Sequence, residues 1–152
     1  LVLGQRSAQP MISEPLLAHY WSPQPQLALG QALRGKATSA LDISDGLLAD
    51  CGHIAAASQA GLVIELDRVP VSLALEEFLG DAGAQQAALS GGDDYVLAFT
   101  LPALELPTLL ADGWPIHVIG RVVEGQGVTL LDDEGRDITP AIRGYQHFAE
   151  SL

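Results

Sequence analysis

Residues 42–46 place two carboxylates and a hydroxyl, those of Asp42, Asp45 and Ser44, within five positions. They stand where an apolar, strand-like run over residues 38–43 gives way to helical spacing of apolar residues from Leu47 onward. Two acids three residues apart at such a corner can point in the same direction. Hard cations prefer oxygen ligands, and magnesium usually combines carboxylates with substrate phosphates. Asp42 and Asp45 are therefore candidate magnesium ligands.

Helix capping offers a second interpretation of the same residues. Ser44 is a natural N-cap for the helix that follows, and Asp45 would then lie in the first turn, where the helix dipole favours negative charge. Asp50 and His53, further along this helix, are typical of a solvated face rather than of a site. The residues alone leave the cation site and the capped helix both open.

A second acidic corner, Ser-Gly-Gly-Asp-Asp-Tyr at residues 90–95, precedes another strand-like run. Its two glycines permit close backbone approach or a positive φ angle. The adjacent carboxylates of Asp93 and Asp94 repel each other unless a metal, a cationic ligand group or solvent compensates. A solvated turn is the alternative, since Gly and Asp are ordinary turn residues. Tyr145, in a Gly-Tyr-x-His-Phe tail, is placed either to stack on a flat ligand ring or to pin the tail by apolar burial.

Composition restricts the classes of function. A chain of 152 residues that is 48% hydrophobic can form one domain with its own core. No apolar run reaches the roughly 18 residues that a membrane-spanning helix needs. The net charge of −12 argues against nucleic acid, because nucleic-acid binding requires basic patches. The single cysteine, Cys51, lies on an apolar helical face and is interpreted as a buried structural thiol. The four histidines lack zinc-ligand spacing.

The elements around the two corners follow from periodicity and turn residues. The pattern predicts helices over residues 14–20, 26–33, 47–60, 84–89 and 102–111, and a turn with a short helix, capped by Ser72, within residues 70–80. It predicts strands over residues 38–43, 62–66, 95–101, 116–123 and 128–131, with a hairpin joining the last two through residues 124–127. Helices and strands mix without strict βαβ alternation, which favours an α+β fold.

The two acidic corners, in this order, resemble those of thiamine-monophosphate kinase, a family of the aminoimidazole-ribonucleotide synthetase superfamily. The similarity is strongest over residues 37–54 and 88–95, with shorter matches at residues 25–30, 118–122 and 144–148. The resemblance implies an α+β, layered α/β/α C-terminal domain with a mixed sheet over residues 25–152, and a remnant of the interdomain region over residues 1–24. We expect the N-terminal ATP-binding domain to be absent from this chain, which starts at Leu1 and is interpreted as a piece of a longer protein.

The resemblance also implies an activity, the ATP-dependent phosphorylation of thiamine monophosphate to thiamine diphosphate with magnesium. The nucleophile is then a phosphate oxygen that is already anionic, so no residue is assigned as a general base. The family further implies a homodimer of the full-length protein. The single cysteine, which excludes an internal disulfide framework, favours the cytoplasm, and the charge and hydropathy favour neither a nucleic-acid nor a membrane partner. Carried over residue by residue, magnesium would be bound by Asp42 and Asp45, ATP would contact Ser44, and the thiamine substrate would contact Asp93 and Tyr145.

Two other functions stay open. Asp93 stands where the family usually has Glu, one methylene longer, while Val96 replaces an acidic residue that is common after the Tyr, a change interpreted as neutral. Another enzyme of the superfamily with a different acceptor is the first alternative. A non-catalytic binding domain that keeps the fold is the second. We expect the isolated chain to be inactive as a kinase, because the ATP-binding half is missing from it.

Overall fold

A computed structural model describes residues 7–141 of the chain. Within these residues no helix combines the length and hydropathy needed to cross a membrane. A short 3-10 turn follows the second strand at Leu66–Arg68. In chain order the helices and strands are α1 (Pro10–Trp21), α2 (Leu27–Ala32), β1 (Ser39–Asp42), α3 (Leu47–Ser58), β2 (Gly61–Glu65), α4 (Leu73–Leu79), α5 (Asp81–Ser90), β3 (Leu97–Thr100), α6 (Leu106–Ala111), β4 (Gly120–Val123) and β5 (Gly127–Leu131).

The described strands form two small sheets. In the first, β1 pairs antiparallel with β3, and Asp42 lies opposite Leu97. In the second, β2 is central, antiparallel to β4 and parallel to β5. This mixed sheet, together with the helices, confirms the predicted α+β class.

The predicted hairpin between β4 and β5 is wrong, because β2 lies between these two strands. Gly61, the first residue of β2, pairs with Val123 on one side and with Gly127 on the other. The intervening residues therefore cross the end of β2 instead of turning back on themselves. A Cβ on Gly61 would come within 2.9 Å of Cγ2 of Val123, so a larger residue there would require the Val123 side chain to shift.

Strand β3 separates two hydrophobic cores. Ala98 packs against the larger core, which is built mainly from α3, β2 and β5 and contains the fully buried Leu48. Leu97 and Phe99 pack against the smaller core, which contains Leu109 of α6 and buried leucines of the α2 region. Successive side chains of a strand point to opposite faces. The β1–β3 pair therefore has helices on both faces, in agreement with the predicted α/β/α layering.

Helix α3 begins later than the capping prediction requires. Its N-cap is Gly46, at φ 112°, and no side chain caps it. Ser44 and Asp45 precede this residue, so the predictions of Ser44 as N-cap and of Asp45 in the first turn are wrong. Helix α4 does begin as predicted, because Oγ of Ser72 accepts a 3.3 Å hydrogen bond from the amide of Leu75.

Candidate functional site

The two acidic corners lie against each other through backbone hydrogen bonds. The amide of Asp93 donates to the carbonyl of Ser44 at 3.0 Å, and the amide of Tyr95 donates to the carbonyl of Ile43 at 2.8 Å. The amide of Ile43 donates in turn to the carbonyl of Val96 at 2.8 Å. These bonds extend the antiparallel pairing of β1 and β3 beyond the strands into both corners. Ser44 and Asp93 are thereby neighbours in space.

Two glycines allow this close approach. A Cβ on Gly92 would lie 2.4 Å from the carbonyl oxygen of Ser44, which is closer than Cβ atoms normally come to a non-bonded heavy atom. Gly46 has a φ of 112°, and a Cβ there would lie 3.0 Å from the backbone of Ser90. Gly92, one of the two glycines predicted to permit close backbone approach, is used for contact between the corners.

Asp50 supports the first corner from inside the protein. Its residue surface is only 2% exposed. Its Oδ2 accepts hydrogen bonds from the amide of Ser44 at 2.9 Å and from the amide of Asp45 at 3.0 Å. The prediction that Asp50 lies on a solvated face is therefore wrong. A signal was present in the sequence, since Asp50 stands three residues after Leu47 and four before Ile54, on the buried face of the helix.

Asp45, Asp50 and His53 form a group that could hold a cation. Each offers one ligand atom, and these atoms lie within 4.8 Å of one another. Asp45 is half-buried and His53 is exposed, so the group opens to solvent. The carboxylate oxygens of this group suit a hard cation such as magnesium, whereas the imidazole of His53 is a more usual ligand of transition metals, so only the carboxylates fit the predicted metal. Asp42, the other predicted ligand, is exposed at the end of β1 and is not a member of this group.

Asp42 lines a groove of about 600 Å³. Helix α2 and the residues around it supply much of the remaining lining, including Arg34, and the second corner supplies Tyr95. Asp42 and Arg34 are the two charged residues among otherwise polar or apolar lining groups. Concave, largely apolar surfaces with a few polar groups are typical of small-molecule sites.

The adjacent acids of the second corner have separate partners. The hydroxyl of Tyr95 donates to Oδ1 of Asp93 at 2.8 Å, and Nε2 of His19 on α1 lies 2.7 Å from Oδ1 of Asp94. The hydrogen bond to Asp93, and then the negative charge of that carboxylate, raise the pKa of Tyr95 above its ordinary value, and the charge of Asp42 adds to the effect. The predicted repulsion between the two acids is thus relieved by neighbouring side chains. Tyr145 lies outside the described residues, and its role stays a prediction.

Comparison with known proteins decides the family. Residues 4–133 match the model of the AIR synthase related protein, C-terminal domain. The chain belongs to this family. A thiamine-monophosphate kinase from Salmonella typhimurium is 39% identical to this AIR synthase related chain over 148 residues, which cover 91% of the chain and 45% of that kinase.

Solved structures agree with the match of sequence. The crystal structure of a thiamine-monophosphate kinase from Stenotrophomonas maltophilia is 40% identical, with a TM-score of 0.75, over 82% of this chain and 41% of that protein. The structure of AaThiL complexed with AMPPCP and TMP is 29% identical, also with a TM-score of 0.75, over 97% of this chain and 45% of that protein. This AIR synthase related chain therefore spans less than half the length of the relatives it matches. The predicted family and fold are confirmed.

Proposed function

We propose that the chain is the C-terminal half of a thiamine-monophosphate kinase, which transfers a phosphoryl group from ATP to thiamine monophosphate. The single observation that carries this proposal is the backbone contact between Ser44 and Asp93. It brings the corner expected to bind metal and nucleotide next to the corner expected to bind substrate. The similarity to thiamine-monophosphate kinases, and to a protein bound to AMPPCP and TMP, supports the same reaction.

In this proposal Asp42 and Asp45 bind magnesium and Ser44 contacts ATP. The half-buried Asp45, in a cluster with Asp50 and His53, supports the metal assignment. Bound magnesium would neutralise charge on the phosphate oxygens, which is a main component of catalysis in phosphoryl transfer. The attacking phosphate oxygen is already anionic and needs no general base. The protein's own contribution is therefore to hold the metal ligands, ATP and the substrate in a fixed arrangement.

Asp93 and Tyr145 contact the thiamine substrate in the same proposal. Asp93 is exposed, and its carboxylate is oriented by the hydroxyl of Tyr95. A carboxylate in this position complements either a cationic thiazolium ring or the amino group of an aminopyrimidine.

The organisation of the whole protein is part of the proposal. Residues 25–152 are its C-terminal domain, residues 1–24 belong to the interdomain region, and a separate N-terminal domain supplies most of the ATP site. The full-length protein is a homodimer in the cytoplasm, where ATP is available. The net charge of −12 supports phosphorylated small molecules with magnesium, rather than nucleic acid or an anionic membrane, as partners.

The test is formation of thiamine diphosphate from thiamine monophosphate, ATP and magnesium by the full-length protein, beside Asp45→Asn and Asp67→Asn variants. Asp67 is exposed and distant in sequence from both corners, so Asp67→Asn controls for the lost charge. We expect activity in the wild type and in Asp67→Asn, and a fall of at least about 100-fold in Asp45→Asn, the upper part of the range for losing a group that supports a metal. The 152-residue chain alone should be inactive, and turnover by it would contradict the proposed division into halves.

A second candidate is a related enzyme with a different phosphate acceptor. The observation that favours it is Asp93, whose shorter side chain is engaged by Tyr95. Substituting other acceptors for thiamine monophosphate in the same assay separates the two candidates. Absence of turnover with every acceptor would favour a non-catalytic binding domain.

A further inference from the structure

We propose that Asp50 is a positioning residue for the cation and nucleotide corner, acting through the amides of Ser44 and Asp45 rather than by touching a substrate. The inference rests on the proposed function of that corner. Asp50 is the buried charged residue of the described chain, and both recorded hydrogen bonds of its side chain go to this loop.

The burial of Asp50 has a physical requirement. A carboxylate removed from water is costly unless it is fully hydrogen-bonded or paired. Here Oδ2 receives two amide donors, and hydrogen bonds to a charged acceptor are roughly twice as strong as neutral ones. Asp50 reaches back beyond the start of its own helix, since both amides precede the N-cap Gly46, so its carboxylate holds the loop rather than capping α3. The loop conformation and the buried carboxylate therefore depend on each other.

The peptide groups of Ser44 are held from two directions. Its amide donates to Asp50, and its carbonyl accepts from the amide of Asp93. Asp50 thereby links the first corner to the second through one residue. Displacing this carboxylate would release Ser44 and Asp45 together, and would loosen their alignment with Asp93.

The nearness of Asp50 to Asp45 and His53 suggests another possibility, that Asp50 ligates a cation directly. The two amides already held by Oδ2 favour the positioning role. The positioning role and the ligand role predict different effects of an Asp50 substitution when Asp45 is also substituted. A positioning residue has no effect of its own once Asp45 is gone, whereas an independent ligand or a general charge effect would add to the loss.

The experiment measures the Mg²⁺ dissociation constant of the full-length protein with a non-hydrolysable ATP analogue by calorimetry, with melting temperature and the amide proton shifts of Ser44 and Asp45 recorded on the same samples. The variants are Asp50→Asn, which keeps the shape, Asp50→Glu, which keeps the charge but moves it by a methylene, and Asp45→Asn alone and combined with Asp50→Asn. Asp67→Asn is the charge-matched control.

We expect Asp50→Asn and Asp50→Glu each to weaken Mg²⁺ binding by about 10-fold, the lower end of the effect of losing a group that orients a metal ligand. The Ser44 and Asp45 amide protons should shift upfield in both variants. Asp50→Asn should add nothing in the Asp45→Asn background, which a double-mutant cycle would show as strong coupling. Asp67→Asn should bind as the wild type does.

Three results would overturn the inference. They are Mg²⁺ binding unchanged in both Asp50 variants, binding lost in Asp50→Asn but retained in Asp50→Glu, and losses that add in the double variant. If Asp45→Asn weakens Mg²⁺ binding, these results leave the proposed function intact. Mg²⁺ binding that Asp45→Asn does not weaken would instead overturn the cation corner, and this inference with it.

A measurement on the wild type covers the case in which the Asp50 variants do not fold. Added Mg²⁺ should slow hydrogen exchange of the Ser44 and Asp45 amides, because linked equilibria are reciprocal. Exchange of these two amides that is indifferent to Mg²⁺, in a chain that binds the ion, would contradict the positioning role.

Discussion

The hydroxyl of Tyr95 holds the carboxylate of Asp93 at 2.8 Å, and both residues lie in the left-handed region of backbone conformation, at φ 56° and 62° respectively. Such conformations cost of order 1–3 kcal/mol for residues other than glycine and persist only where the surroundings impose them. Here the backbone bonds from Asp93 to Ser44 and from Tyr95 to Ile43 impose them. The Asp93 carboxylate is thus presented by a strained corner and is oriented by its neighbour two residues on.

Tyr95→Phe tests whether this hydrogen bond orients Asp93 for substrate. The change removes one hydroxyl and leaves the ring. We expect the KM of the full-length protein for thiamine monophosphate to rise by about 3-fold with kcat little changed, because an exposed hydrogen bond contributes toward the lower end of about 0.5–1.5 kcal/mol. Steady-state kinetics would measure this split. Tyr20→Phe on α1 is the matched control, and a KM equal to that of the wild type in Tyr95→Phe would remove the orienting role.

Gly92→Ala tests the contact between the corners. The added Cβ would overlap the carbonyl oxygen of Ser44, so the backbone must shift. We expect the free energy of unfolding to fall by about 2 kcal/mol, within the usual cost of overpacking, and Mg²⁺ binding to weaken as well. Urea unfolding would measure the first effect.

Gly52→Ala is the control for Gly92→Ala, because it adds the same methyl group where there is room for it. Gly52 lies inside α3 with nothing within 4 Å of the added Cβ, so replacement should stabilise the chain by up to about 1 kcal/mol through helix propensity. Equal stability of the Gly92→Ala variant and the wild type would show that the two corners do not need their close contact.

Cys51 is expected to be unreactive in the folded chain. Burial, and then the negative charge of Asp50, raise the pKa of its thiol from 9.0 to about 12. At pH 8 its thiolate fraction should be lower than that of the unfolded chain by about 1,000-fold, and disulfide reagents react with the thiolate. A thiol-reagent time course with and without urea would measure the ratio. Rapid modification of the native chain would contradict the buried setting.

The raised pKa of Cys51 also affects the stability of the folded chain at alkaline pH. The folded state keeps the Cys51 proton up to about pH 12, while the unfolded state loses it above the ordinary value of 9.0. The contribution to stability is therefore fully present below about pH 9 and is lost between pH 9 and 12. Cys51→Ala should lack this part of the alkaline destabilisation.

The sequence by itself determined the family, the α+β class, the approximate positions of the elements and the acids of both corners. These features depend on local patterns. Apolar spacing in α3, the Ser72 cap of α4 and the glycine-acid corners are each set by residues within a few positions of one another.

Only the tertiary structure decided which residues meet. Backbone pairing between distant segments placed Gly92 under the carbonyl of Ser44, and put β2 between β4 and β5 where a local turn signal predicted a hairpin. Asp50 was turned inward because two backbone amides of the preceding loop compensate its buried carboxylate, and the path of that loop before Gly46 brings both amides within reach of it. Periodicity shows which face of a helix is apolar, but the partner of a buried charge depends on the path of the chain around it.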